Sequence, residues 1–173
     1  PTGCPFCVGG VESPEPYRVR AFPNRWPSYP DRRCEVVLYS DDHDARLSTM
    51  PDTAVREVID LWAERTESLG ARPDISYVLI FENNGAEVGA TIAHPHGQIY
   101  AYPHVPPLPA TELARLAAGY RLLEDRPDLV VVERSGWRSW VPAAPVQPYG
   151  IRLAPLDQRA DLPSLSPEER DAM

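Results

Sequence analysis

Proline sets the limits within which this chain can fold. Of 173 residues 21 are proline, and they gather at residues 1–30, 103–109 and 142–167 without a short repeat. A residue that fixes φ and lacks an N–H disrupts helix interiors and central strands, so regular structure is expected mainly between these clusters. Alternating apolar runs occupy the intervals, which makes the clusters rigid connections rather than parts of a disordered tail.

Cys34 to Tyr39 reads as a strand that ends in the polar run Ser40-Asp41-Asp42, with His43 just past it. From Asp52 to Leu69 the residues Val55, Val58, Ile59, Trp62 and Leu69 recur at helical spacing, and Gly70 with Pro73 stops the helix. Ile75 to Phe81 is rich enough in aliphatic and aromatic residues for a central strand, which delivers Glu82, Asn83 and Asn84 into a turn. Ile99 to Tyr102 predicts another strand, ended by Pro103 to Pro109 before a helix from about Thr111 to Asp125. Leu129–Glu133, Trp137–Val141 and Tyr149–Leu153 predict three strands of a second sheet, with Trp137 and Trp140 as core. Ser166-Pro167-Glu168-Glu169 then announces a helix through an N-cap serine, an N1 proline and an N3 glutamate. The expected class is α+β, an antiparallel sheet with packed helices.

Charge narrows the partners. Seventeen basic residues against 25 acidic ones give a formal net charge of -8, so neither nucleic acid nor an anionic membrane is an expected partner. No run approaches 18 apolar residues and the amino end lacks a secretory pattern, so a cytoplasmic location is expected. The opening at Pro1 and the helical signal at the end suggest a portion of something longer.

Three cysteines are too few and too odd in number for a disulfide scaffold. Cys4-Pro5-Phe6-Cys7 instead offers two soft ligands at a spacing that lets both thiolates reach one ion. His43 and His94 are the best candidates to complete a Cys2His2 tetrahedron, and ligand softness favours zinc over iron. A redox-active CxxC is the competing reading, while Cys34 opens an apolar strand and suits core packing.

His94-Pro95-His96-Gly97-Gln98 carries the chemistry. His96 can keep one ring nitrogen free as a nucleophile while a backbone carbonyl holds the proton on the other, and Gln98 can donate to a phosphoryl oxygen without acid-base chemistry of its own. Upstream, Asn83, Gly85, Gly89 and Thr91 form a second group suited to approach a sugar phosphate, although Asn84-Gly85 also reads simply as a turn. Phe22-Pro23-Asn24-Arg25-Trp26 can hold a base and ribose, with Arg25 against phosphate; core packing of Phe22 and Trp26 explains the same residues equally well. His104, in a proline-rich exit, reads as structural or exposed.

With these pieces in order across residues 4 to 102, the chain resembles the galactose-1-phosphate uridylyltransferase family of the histidine-triad superfamily. The resemblance rests on Cys4-Pro5-Phe6-Cys7, Phe22 to Arg25, Ser40 to His43, Phe81 to Gly89 and His94 to Tyr100. It implies a histidine-triad-like antiparallel sheet and double displacement: His96 takes uridylate from UDP-glucose, releases glucose 1-phosphate, and passes uridylate to galactose 1-phosphate. It also implies zinc on Cys4, Cys7, His43 and His94, Gln98 on the transferred phosphoryl group, Asn83 and Thr91 in the phosphate and hexose region, Asn24 near the nucleoside, and a homodimer. The run Thr91-Ile92-Ala93-His94 departs from the asparagine and proline that the family commonly has there.

Two related halves make up that family, so residues 1–126 are expected to form the zinc-containing nucleotidyltransferase domain and 127–173 the start of a second, incomplete one. Glu112 lies where the family can supply a ligand to another metal. A second polypeptide supplying the rest, a related nucleotidyl phosphorylase, and a noncatalytic nucleotide-binding half of a split enzyme are the alternatives.

Overall fold

The computed structural model describes residues 3–121 and 126–173. The chain is α+β and divides into two compact units, Pro1–Pro106 and Pro107–Met173.

The first unit is a four-stranded antiparallel sheet in the order β1-β2-β4-β3, where β1 is Arg20–Pro23, β2 Cys34–Leu38, β3 Tyr77–Phe81 and β4 His96–Tyr102. One helix, α1 (Asp52–Gly70), lies between β2 and β3 in sequence. Alternation along β4 decides the architecture. Gly97, Ile99 and Ala101 are buried, whereas His96, Gln98, Tyr100 and Tyr102 are half-buried on the opposite face. Ile99 and Ala101 pack with Val37, Tyr39, Val58, Leu69 and Ile75, so the helix covers one face of the sheet. Complete burial of Val58 on that helix contributes about 2 kcal/mol. The other face, with Val36 and Leu38 beside Phe6, is left for the site.

A charged link reinforces the helical layer. Glu35 shares the buried face of β2 with Val37, and Arg65 of α1 donates to both its carboxylate oxygens at 2.8 Å. A bidentate pair satisfies the carboxylate that the fold takes out of water.

The periodic elements match their sequence signals, and the ends are corrected. Strand β4 begins at His96 rather than Ile99, because His96 pairs with Leu38 and Gln98 with Val36; the histidine motif runs into the sheet instead of preceding it as a loop. Strand β1 went unpredicted because Arg20-Ala21-Phe22-Pro23 is short and lies on an edge, where partners matter more than composition.

In the second unit, α2 spans Pro107–Ala117, four residues earlier than expected from Thr111. Pro107 and Pro109 fit because N–H groups of a first helical turn have no acceptor to lose. The far end of the expected helix, residues 122–125, lies outside the described residues. Strands β5 (Val130–Arg134), β6 (Trp137–Trp140) and β7 (Arg152–Pro155) form an antiparallel sheet in that order. The last starts three residues after the expected Tyr149, since Tyr149 takes a positive φ and Gly150 donates to the Gln147 carbonyl in a turn. Trp137 and Trp140 are buried as expected. The short helix α3 (Pro167–Ala172) has the full capping box of Ser166 and Glu169. No helix among the described residues is long and apolar enough to cross a membrane.

Candidate metal centre and phosphate site

The metal candidate is built by a tight turn, a strand end and the approach to β4. Around Gly10 the carbonyls of Cys4, Pro5 and Cys7 converge so closely that a Cβ would lie 2.5–2.8 Å from them, and Gly10 N donates to Cys7 O at 2.7 Å. Only glycine admits this turn, which brings both thiols to one side. His43 follows the end of β2, and His94 precedes β4 by two residues. Their ligand atoms and the two sulfurs all lie within 4.8 Å of one another.

This donor set fits one tetrahedral ion. Zn–S near 2.3 Å and Zn–N near 2.0–2.1 Å set a sulfur–nitrogen edge of about 3.6 Å. Cys7 Sγ is 3.5 Å from His43 Nδ1 and 3.6 Å from His94 Nδ1. Tautomer agrees with distance. His94 Nε2 lies 2.8 Å from the Ser40 carbonyl, which can only accept, so Nε2 carries the proton and Nδ1 presents its lone pair to the cluster. Burial lowers the His94 pKa and keeps the ring neutral, as a ligand must be. Desolvation, followed by the neighbouring Cys4, raises the Cys7 thiol; a cation reverses that preference.

Tyr17 joins the pieces and carried no sequence signal. Its hydroxyl donates to Phe6 O at 2.7 Å, lies 3.0 Å from Ser40 O and stands 2.8 Å from His94 Nε2. Burial first, and then Asp41, pushes its ionisation far above the ordinary value, so it remains a hydroxyl.

Beyond the cluster, His96 Nδ1 lies 2.7 Å from the His94 carbonyl. The carbonyl accepts, so Nδ1 is protonated and Nε2 is left with its lone pair. Phe6 packs its ring edgewise against the imidazole at 5.1 Å between centroids and restricts its tilt. The alternation of β4 turns Gln98 to the same face, where Asn24 Nδ2 is 3.5 Å from its Oε1, and the Gln98 amide nitrogen makes no hydrogen bond among the described residues.

Two pockets meet at His96. One, of about 440 Å³, is lined by Arg46, Glu82, Asn83, Gly85, Thr91 and His96 among others. The second, of about 390 Å³, contains Phe6, Glu12, Phe22, Asn24, Arg25, Trp26, Thr91, His96 and Gln98. The fold thus gathers Asn24, Arg25, Thr91 and Gln98 beside one side of His96, and Asn83, Gly85 and Thr91 beside the other. Gly89 caps the short turn Ala86–Val88 and lies outside both linings. Trp26 is 82% exposed and carries Arg25 over its ring, whereas Phe22 packs beside Phe6 and Val36. Cys34 is buried and His104 exposed. Glu112, in the second unit, is 4.0 Å from Arg152. Glu12, Tyr17 and Arg46 join the site without a prior signal, whereas Phe6 lies inside the CxxC and Glu82 inside the Phe81 to Gly89 motif, where neither was singled out.

Comparison with known proteins adds a lineage to this geometry. Residues 18–106 match the family model described as galactose-1-phosphate uridyl transferase, N-terminal domain. A galactose-1-phosphate uridylyltransferase of Streptomyces lividans is 38% identical over 96% of this chain and 52% of its own length. The ADP-glucose phosphorylase of Arabidopsis thaliana is 26% identical over 91% of this chain and 56% of its own. A solved uridylyltransferase structure superposes with a TM-score of 0.88 at 28% identity, covering 98% of this chain and 64% of that one. The chain therefore spans about half to two-thirds of the length of these relatives.

Proposed function

Because the chain belongs to the galactose-1-phosphate uridyl transferase family through that family's amino-terminal domain, we propose that it is a nucleotidyltransferase moving uridylate from UDP-glucose to galactose 1-phosphate through a uridylyl-His96 intermediate. The observation that carries this reading is the 2.7 Å bond from His96 Nδ1 to the His94 carbonyl, which leaves Nε2 as the only unprotonated ring nitrogen.

In the first displacement Nε2 attacks the α-phosphorus. The bond from that phosphorus to the bridging oxygen breaks, and its electron pair leaves with glucose 1-phosphate. Nδ1 keeps its proton, donated in a hydrogen bond to the His94 carbonyl, so the substituted ring is an imidazolium and the P–N bond remains reactive. Gln98 donates its amide to a non-bridging oxygen as charge builds there. In the second displacement a phosphate oxygen of galactose 1-phosphate attacks the same phosphorus and returns the electron pair to Nε2. Asn24 and Arg25 serve the nucleoside side of His96, and Asn83, Gly85 and Thr91 the hexose phosphate side.

Cys4, Cys7, His43 and His94 would hold zinc, and the donor set and edge distances support that choice. Bound there, zinc supplies a cross-link between the amino-terminal turn and the two histidine segments. On this reading the chemistry belongs to residues 1–126, and residues 127–173 open a second related domain.

Incubation with UDP-glucose followed by intact-mass measurement tests the proposal. A uridylate adduct absent from His96→Ala and discharged by galactose 1-phosphate is expected; a wild-type chain with bound zinc and no adduct sinks it. The similarity to an ADP-glucose phosphorylase supports a second reading, in which the same histidine takes adenylate and inorganic phosphate is the acceptor. Preference for ADP-glucose and discharge by inorganic phosphate would favour it.

A further inference from the structure

The two pockets beside His96 each contain one arginine, and these differ in charge balance. Arg25 is paired with Glu12 at 3.3 Å and lies over Trp26. Arg46 is the sole Lys or Arg lining the other pocket, and its side chain makes no ion pair or hydrogen bond among the described residues. The backbone beneath it is nevertheless fixed: Arg46 O accepts from Thr49 N and Met50 N at 2.9 Å each and from Thr49 Oγ1 at 3.2 Å. An exposed guanidinium on an anchored loop therefore stands at the rim of the pocket that holds Asn83 and Thr91.

We propose that Arg46 is the phosphate-binding residue for the hexose 1-phosphate, accepting its phosphate monoester as it leaves His96-bound uridylate and when it returns as acceptor. This assignment rests on the nucleotidyltransferase reading above. The charge argument is direct. When the bridging P–O bond breaks, the departing sugar phosphate gains one negative charge, and a guanidinium can donate two parallel N–H bonds to it. The neutral nucleoside has no such need and suits the pocket where Arg25 is already compensated. Glu82 shares the Arg46 pocket, where burial pushes its pKa up.

The test compares wild type, Arg46→Gln and Arg46→Lys after uridylylation with UDP-glucose, with bound zinc measured in each. The readout is the galactose 1-phosphate concentration that discharges the adduct at half-maximal rate. Arg46→Gln is expected to raise it about tenfold, and Arg46→Lys to restore most of the loss, with equal zinc in all three. Equal half-maximal concentrations in wild type and Arg46→Gln overturn the role of Arg46 and leave the transferase reading intact. A loss that follows missing zinc, with lysine no better than glutamine, overturns it as well. Absence of an adduct in zinc-loaded wild type overturns both.

Discussion

The His94 carbonyl holds the Nδ1 proton of His96 at 2.7 Å, so the residue whose ring joins the metal cluster also fixes, through its backbone, the tautomer of the histidine two positions on. On the proposed function, placement of the reactive His96 ring and integrity of the candidate metal cluster are thus coupled through one residue.

Metal removal should cost stability as well as order at the site. With zinc at about 1,000 times its dissociation constant, binding adds about 4 kcal/mol, and chelation or Cys7→Ser should remove it. Thermal unfolding with parallel zinc quantification checks this; an unchanged midpoint after complete zinc loss would show that the four side chains do not stabilise the fold through an ion.

Tyr17→Phe removes one hydroxyl that meets Phe6 O, Ser40 O and His94 Nε2. Zinc affinity should fall about tenfold, the lower end for partners behind metal ligands. A competition titration with a chromogenic chelator measures it. Equal affinity would mean that the Ser40 carbonyl alone orients His94.

At Gly97 an added Cβ would fall on the Tyr39 hydroxyl and 3.0 Å from Phe81 O. Overpacking on the buried face of β4 costs about 1–3 kcal/mol, so Gly97→Ala should lower the denaturant midpoint. A neutral result would require Tyr39 to shift freely within the core.

Arg65→Ala strands the Glu35 carboxylate, whose side chain is only 8% exposed. Loss of a partner to a buried charge costs about 3 kcal/mol, and Glu35→Gln combined with Arg65→Ala should recover part of it. Equilibrium urea unfolding of the single and double variants distinguishes a stranded charge from lost packing.

Acid should loosen the join between the entry to β2 and the exit of α1. Arg72 first, with help from Arg33, lowers Asp74 to about 2. The folded pKa is below the unfolded value near 3.9, so this contribution is present above about pH 4 and lost as pH falls toward 2. Asp74→Asn should flatten that part of the stability profile, and high salt should shrink the difference.

Legibility followed the physics of each segment. Helix α1 was readable because Val58, Ile59 and Leu69 keep one period over many residues, and α3 because Ser166 and Glu169 satisfy each other locally. The CxxC and the two histidines were readable as donor types, although the sequence holds no distance between residue 7 and residue 94. Strand β1 and Tyr17 were illegible for a shared reason: their roles consist of partners far along the chain. Arg46 was hidden differently, since an exposed arginine becomes distinctive only when its side chain proves to make no ion pair among the described residues.

Strand β4 also constrains which length changes the gene could tolerate. Side chains alternate between faces, and a single codon inserted or deleted between His96 and Gln98 would turn one of them toward α1. Loss of Pro95 would move the carbonyl that holds His96. The stretch from 94 to 98 is therefore intolerant of frame-preserving indels even where individual side chains can change.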